Sequence, residues 1–216
     1  MKTTLVVVAA LWAISVVPCH AKSDPPLFVS PDFNPASIDR VDVFVIDPSH
    51  DAANNSECIV GAEVGGVNGG GAQISLAKRG YDKGGRHPDT RFYPAPITPS
   101  DTMLSNPSKD WLQTLADQKY YNRKAKEVPP PGRWIMIITI DELGSGENAV
   151  KGLGRASLSM YLYDRDQGTL LWHDQAIKEH VWGGLLGNVM MKGATKQQEC
   201  GMLVFTMIKK LPKHPK

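Results

Sequence analysis

Between Gly154 and Lys178 the chain reads G-R-A-S-L-S-M-Y-L-Y-D-R-D-Q-G-T-L-L-W-H-D-Q-A-I-K, two strands and the turn that joins them. Ala156, Leu158, Met160 and Leu162 alternate with Ser157, Ser159, Tyr161 and Tyr163, the period of two that gives a strand one dry face and one wetter, aromatic face. Asp164 to Gln167 break the pattern, and Gly168 supplies a residue free to turn left-handed and close the hairpin. On the returning strand, alternation predicts Leu170 and Trp172 on one face and Leu171, His173 and Ile177 on the other. A half-buried hairpin of this kind needs a sheet to join and a layer to pack under.

What surrounds the hairpin decides the fold class. Arg40 to Asp47, R-V-D-V-F-V-I-D, and Arg133 to Glu142, R-W-I-M-I-I-T-I-D-E, are near-continuous apolar runs, as expected of interior strands covered on both faces. A short edge strand is expected near Arg91 to Tyr93, because Pro94, Pro96 and Pro99 bar a central one. Helices are expected at Ala72 to Arg79, with Ile74 and Ala77 inward and Gly80 as C-terminal cap, and at Lys109 to Asp117, capped by Ser108, with Trp111, Leu112 and Leu115 inward. A last amphipathic helix runs from about Gln197 to Leu211, with Cys200, Leu203, Val204, Met207 and Leu211 on one face, and Pro212 ends it. The glycine-rich stretches around Gly61 to Gly71 and Leu143 to Leu153 read as loops. The reading is one α/β domain over residues 40–212, a mixed central sheet of about four to six strands flanked by helices.

The N-terminus sets the compartment. Lys2, the apolar run Leu5 to Val17 and Pro18-Cys19-His20-Ala21 follow the charged, apolar, small-residue order of a secretory signal peptide, with cleavage after Ala21. The apolar run falls short of the roughly twenty residues a bilayer span needs. Acylation of Cys19, which would make the chain an outer-membrane lipoprotein, is the alternative, and Pro18 is a poor residue to precede that site. Residues 22–39, rich in Pro, Ser and Asp, read as a flexible tether. The chain carries 24 Lys and Arg against 22 Asp and Glu, and losing Lys2 brings the rest close to neutral, which excludes the concentrated basic field of a nucleic-acid binder. Cys58 and Cys200 remain after cleavage. In an oxidising compartment they are candidates for a disulfide, and otherwise two small buried hydrophobes.

The runs G-R-W-I-M-I-I-T-I-D-E-L, L-S-M-Y-L-Y-D-R-D-Q-G-T-L-L-W-H-D, G-G-L-L-G-N, R-V-D-V-F-V-I-D and L-A-K-R-G-Y together resemble a group of uncharacterised bacterial envelope proteins and lipoproteins. Their domain is similar to the N-terminal domain of TolB and to the curli-assembly lipoprotein. The resemblance covers about two thirds of the chain after the leader. It implies a mixed-sheet α/β domain, periplasmic or bound to the outer membrane, with no known enzymatic activity and a role in envelope assembly or transport. It supplies no catalytic residues.

Two sets of residues are candidates for function. Asp47, His50 and Asp51 follow the first interior strand and Asp141 and Glu142 the second; if those strands are parallel, all five gather at one carboxyl edge of the sheet, where a divalent metal or an activated water could sit. Acidic strand ends are also ordinary turn formers. Gly-x-Ser-x-Gly, His-Glu-x-x-His and close Cys pairs are absent from the sequence, so no cofactor or metal is expected. His173 and Asp174 fall on opposite faces of one strand and cannot form a dyad. The second set is the apolar link Val181 to Met191, where Trp182, Gly183, Leu185, Leu186, Gly187, Val189 and Met190 surround a helix on nearly every side and so expose part of their surface to a partner or to a membrane surface. A buried turn of helix is the other reading of that link. The expected function is therefore that of an exported, non-enzymatic envelope protein, in the periplasm or secreted, binding envelope proteins or itself. A metal-dependent hydrolase is the alternative.

Overall fold

The computed structural model describes residues 25–47, 59, 71–81, 90–93, 99–117, 132–148, 151–183 and 195–215. Its centre is one mixed six-stranded sheet, made of β1 (Phe28–Val29), β2 (Val41–Ile46), β3 (Thr90–Tyr93), β4 (Trp134–Asn148), β5 (Lys151–Asp164) and β6 (Thr169–Gly183), in the order β1-β6-β5-β4-β2-β3. β2 runs parallel to both β3 and β4, while β4, β5 and β6 form an antiparallel meander with β1 antiparallel on its far edge. This is the α/β fold with the strand number and mixed sheet that the apolar runs predict.

Alternation sorts the sheet into two cores. Val41, Val43, Val45, Met136, Ile138, Leu158, Met160 and Leu162 face one side. There they meet α1 (Ala72–Arg79) through Ala72 and Leu76, and α4 (Thr195–Lys210) through Cys200, Leu203, Val204, Met207 and Ile208. Phe44, Ile46, Ile135, Ile137, Tyr161 and Tyr163 face the other side, under Leu104 of α2 (Asp101–Ser105) and Leu112 and Leu115 of α3 (Lys109–Asp117). All six residues of β2 are buried, Asp42 among them. Asp42 is satisfied by the Arg40 guanidinium at 2.8 Å and by the backbone N–H of Gly132 at 2.6 Å, as a buried carboxylate must be. Gly80 ends α1 in the left-handed conformation, φ 93°, and Ser108 accepts the Trp111 amide at the head of α3.

Several expectations are corrected. α1 turns Ala72, Ser75 and Leu76 inward and leaves Ile74 exposed and Ala77 half-buried, because the i, i+3, i+4 stripe starting at Ala72 is the one that meets α4. The tether expected over residues 22–39 is part of the fold from β1 onward. Phe28 pairs with His173 and Val29 with Trp172, Asn34 caps a 3-10 turn at Pro35–Ser37, and Ile38 is fully buried. The domain also runs past residue 212: the Tyr81 hydroxyl donates to the Pro212 carbonyl at 2.6 Å, and the His214 amide to the Arg79 carbonyl at 3.0 Å. The loop expected over Leu143 to Leu153 is strand instead, β4 and β5 pairing continuously out to Asn148 and Lys151.

Two bulges break the alternation. Ile140 pairs with Leu158 and Glu142 with Ser157, so Asp141 is an extra residue in β4. Leu162 pairs with Trp172 and Tyr163 with Leu170, so Leu171 is an extra residue in β6. The second bulge overturns the predicted faces of β6: Leu171 joins Trp172 in the first core, and Leu170 packs beside the tyrosines of the second.

Candidate functional site

Along β4 and β5 the second face changes from apolar to polar, Ile135 and Ile137 giving way to Thr139, and Tyr163 and Tyr161 to Ser159 and Ser157. Over the change of character lies a cleft of about 310 Å³, lined by Ile46, Pro99, Asp101, Leu104, Ser105, Thr139, Ile140, Asp141, Ser159, Tyr161, His173 and Gln175. One wall is α2, capped by Ser100, whose hydroxyl accepts the Met103 amide at 3.3 Å. The buried Tyr163 hydroxyl fixes that wall to the sheet by donating to the Leu104 carbonyl at 2.6 Å, and burial holds this phenol protonated well beyond its ordinary range.

The floor is built around the first bulge. The inserted residue turns the Asp141 side chain to the cleft side, where one carboxylate oxygen accepts the Thr139 hydroxyl at 2.8 Å and the other the Ser159 hydroxyl at 2.7 Å. Bulges commonly serve to re-aim a side chain in this way. Both hydroxyl residues are buried while Asp141 is exposed, so a charged group at the surface is oriented from beneath. Beside it, Tyr161 and His173, opposite each other on β5 and β6, stack with ring centroids 4.3 Å apart and 5° between planes. Burial pushes the Tyr161 hydroxyl above its ordinary value, the nearby Asp141 and Asp101 adding to the shift and its bond with Ser159 opposing it. Burial pushes His173 below its ordinary value, although Asp174 and Asp141 pull the other way.

β2 and β4 are parallel as the carboxyl-edge reading requires, yet the five candidates do not meet as one group. Asp141 lines the cleft; Asp47 is buried and does not. Glu142 pairs with Arg155 at 3.0 Å on the solvent side. His50 and Asp51 lie outside the described residues. Among the described residues no three His, Cys, Asp or Glu side chains converge as metal ligands. His173 and Asp174 do point to opposite faces: Asp174 is buried against α4 and paired with Lys210 at 3.0 Å.

Of the apolar link, Trp182 and Gly183 end β6, paired with Gly152 and Lys151; Leu185, Leu186, Gly187, Val189 and Met190 lie outside the described residues. Cys200 is buried and disulfide-bonded, while Cys58 and Ala21 also lie outside them. No helix among the described residues is long and apolar enough to cross a membrane. Sequence reasoning missed Asp101, Thr139, Ser159, Tyr161, His173 and Gln175 as one cleft. The signal available was the wetter face of β5, but only the register of three strands shows what gathers on it.

The chain matches no protein-family model and no curated protein. Among solved structures it is similar to the PelC dodecamer from Paraburkholderia phytofirmans, at 14% identity over 88% of this chain and 96% of that one, TM-score 0.46. It is similar also to the minor lipoprotein from Acinetobacter baumannii, at 6% identity over 81% and 93% of the two chains, TM-score 0.38. A third is lipoprotein GNA1162 from Neisseria meningitidis, at 14% identity over 80% and 97%, TM-score 0.35.

Proposed function

We propose that this is an exported, non-enzymatic envelope protein that acts by binding other envelope proteins in assembly, transport or maintenance. The observation that carries the reading is the length of the meander. β4 and β6 are 15 residues long and β5 14, on the order of 50 Å at about 3.3 Å per residue, against a usual strand of five or six. β2 pairs with β4 only as far as Thr139, and β1 with β6 only at Trp172 and His173. Beyond those points no strand among the described residues covers either edge of the arm, and Ile177 on it is 57% exposed. Open edges of this length are where another chain can add a strand.

Two further features support export: the leader-like order of residues 1–21, and a disulfide at Cys200 of the kind that persists in oxidising compartments. The hydrolase alternative has less support, since Asp47 stands apart from the cleft and the Asp141 oxygens are engaged by Thr139 and Ser159. The experiment is a pull-down from crosslinked envelope of the native host, with wild type and Ile177→Lys compared. A discrete set of proteins captured by wild type and lost with the variant, at unchanged melting temperature, supports binding through the arm. Equal capture by both, or capture of nothing, contradicts it.

A further inference from the structure

We propose that the cleft beneath α2 is a binding site for an organic cation, an ammonium or guanidinium group held by the Asp141 carboxylate beside the Tyr161–His173 stack. The proposal deepens the binding reading above by naming the chemistry that one site on the protein would recognise.

The charged groups that line the cleft are carboxylates. Asp141 and Asp101 each bring a carboxylate, Gln175 an amide that can donate or accept, and no Lys or Arg is among the described residues that line the cleft. The Asp141 carboxylate has its two oxygens fixed, each by one hydroxyl from a buried residue, which leaves further lone pairs on both atoms directed elsewhere. Three of the four lining hydroxyls are used within the protein: Thr139 and Ser159 donate to Asp141, and Ser105 donates to the Asp101 carbonyl at 2.7 Å, which leaves the Tyr161 phenol. Among the described residues the Nε2 atom of His173 is buried without a hydrogen-bond partner. Its imidazole is held toward the neutral form by burial, which lets it accept as well as donate.

An anion is repelled by the two carboxylates, and a neutral N–H donor gains hydrogen bonds from them but no attraction between opposite charges. A ligand rich in N–H donors and positively charged satisfies every vacant acceptor at once: charge-assisted hydrogen bonds to the carboxylate are the strong kind, and attraction between unit charges a few ångströms apart is several times larger near a protein surface than in bulk water. At about 310 Å³ the cleft stands at the small end of the range for ligand sites, the right scale for one cationic side chain or a small amine.

The test uses the mature chain from Lys22 onward and titrates it by calorimetry with agmatine, which carries a guanidinium and an ammonium, with urea as the neutral isostere and acetate as the anion. The expected result is saturable one-to-one binding of agmatine, at least tenfold weaker in Asp141→Asn, weaker in Asp101→Asn, weaker again in 0.5 M salt, and unchanged in Glu142→Gln, with nothing from urea or acetate. The nitrogen resonances of the His173 ring should shift with the same saturation curve. A short blocked peptide with one Arg identifies the source: tighter binding than agmatine assigns the cleft to a basic side chain of a partner, weaker binding to a small amine. Absence of saturable agmatine binding in a protein whose melting curve is intact, or equal binding by Asp141→Asn, overturns the proposal. Capture of envelope proteins through the arm by that same non-binding protein would leave the binding reading standing without the cation site.

Discussion

His173 is pulled in two directions, toward the neutral form by its burial against Tyr161 and toward the charged form by Asp174 and Asp141, and burial dominates. Its folded-state pKa therefore lies below the ordinary 6.5. As pH falls through that ordinary value the unfolded chain takes up the proton first, so the contribution to stability is present above it and lost below it. The expected outcome is that the melting temperature of wild type falls more steeply between pH 8 and pH 5 than that of His173→Gln, the difference isolating this imidazole from the other histidines. Parallel curves for the two proteins would show that the ring is solvated rather than held against Tyr161. Tyr81 gives the opposite sign: burial pushes it up to about 12, so its contribution is full below pH 10 and lost as pH rises beyond.

At the scale of elements, glycine decides two turns and is tolerated elsewhere. Gly168 closes the β5–β6 hairpin at φ 67°, and a Cβ there would lie 2.9 Å from Lys109 Cγ and 3.0 Å from the Lys109 backbone nitrogen. Gly168→Ala should cost about 1–2 kcal/mol for the left-handed backbone alone, with more from displacing the head of α3, read as a lower urea midpoint. Gly144, where an added Cβ meets nothing within 4 Å, is the control, and Gly144→Ala should be neutral or stabilising by a few tenths of a kcal/mol up to about 1. A loss at Gly144 equal to that at Gly168 would mean that the strand assignment beyond Glu142 is wrong. The sequence makes the helices, the interior strands and the dry face of β5 readable because each carries an uninterrupted period. It hides what breaks a period. One extra residue at Asp141 and one at Leu171 re-aim the side chains after them, and neither carries a local mark of its own. The glycines of the β4–β5 arm suggest a loop because propensity is weighed residue by residue, whereas pairing on both sides of β5 supplies what propensity lacks. The cleft was hidden for the same reason, being assembled from four strands and α2 by their register and packing.

At the scale of the molecule, the sheet is held between α1 and α4 on one side and α2 and α3 on the other, and Cys200 of α4 ties that first layer covalently to a distant part of the chain. With Cys58 as the partner, the closed loop is on the order of 100 residues or more, for which chain entropy gives about 4–5 kcal/mol. Reduction should lower the unfolding free energy by that order, and peptide mapping under non-reducing conditions should pair Cys200 with Cys58. An unchanged midpoint after full reduction would show that the packing of Leu203, Val204, Met207 and Ile208 holds α4 unaided. The arm of β4, β5 and β6 beyond Thr139 and His173, with its open edges, is the part of the molecule that the account makes functional, and the most direct measurement addresses it alone. A photo-crosslinking residue is placed at Ile177 on the arm, or at the exposed Thr206 on α4, in the protein expressed in its native host. The account predicts a discrete protein adduct from position 177 and none from position 206. Adducts from both positions alike, or from neither while the protein is present in the envelope, would contradict it.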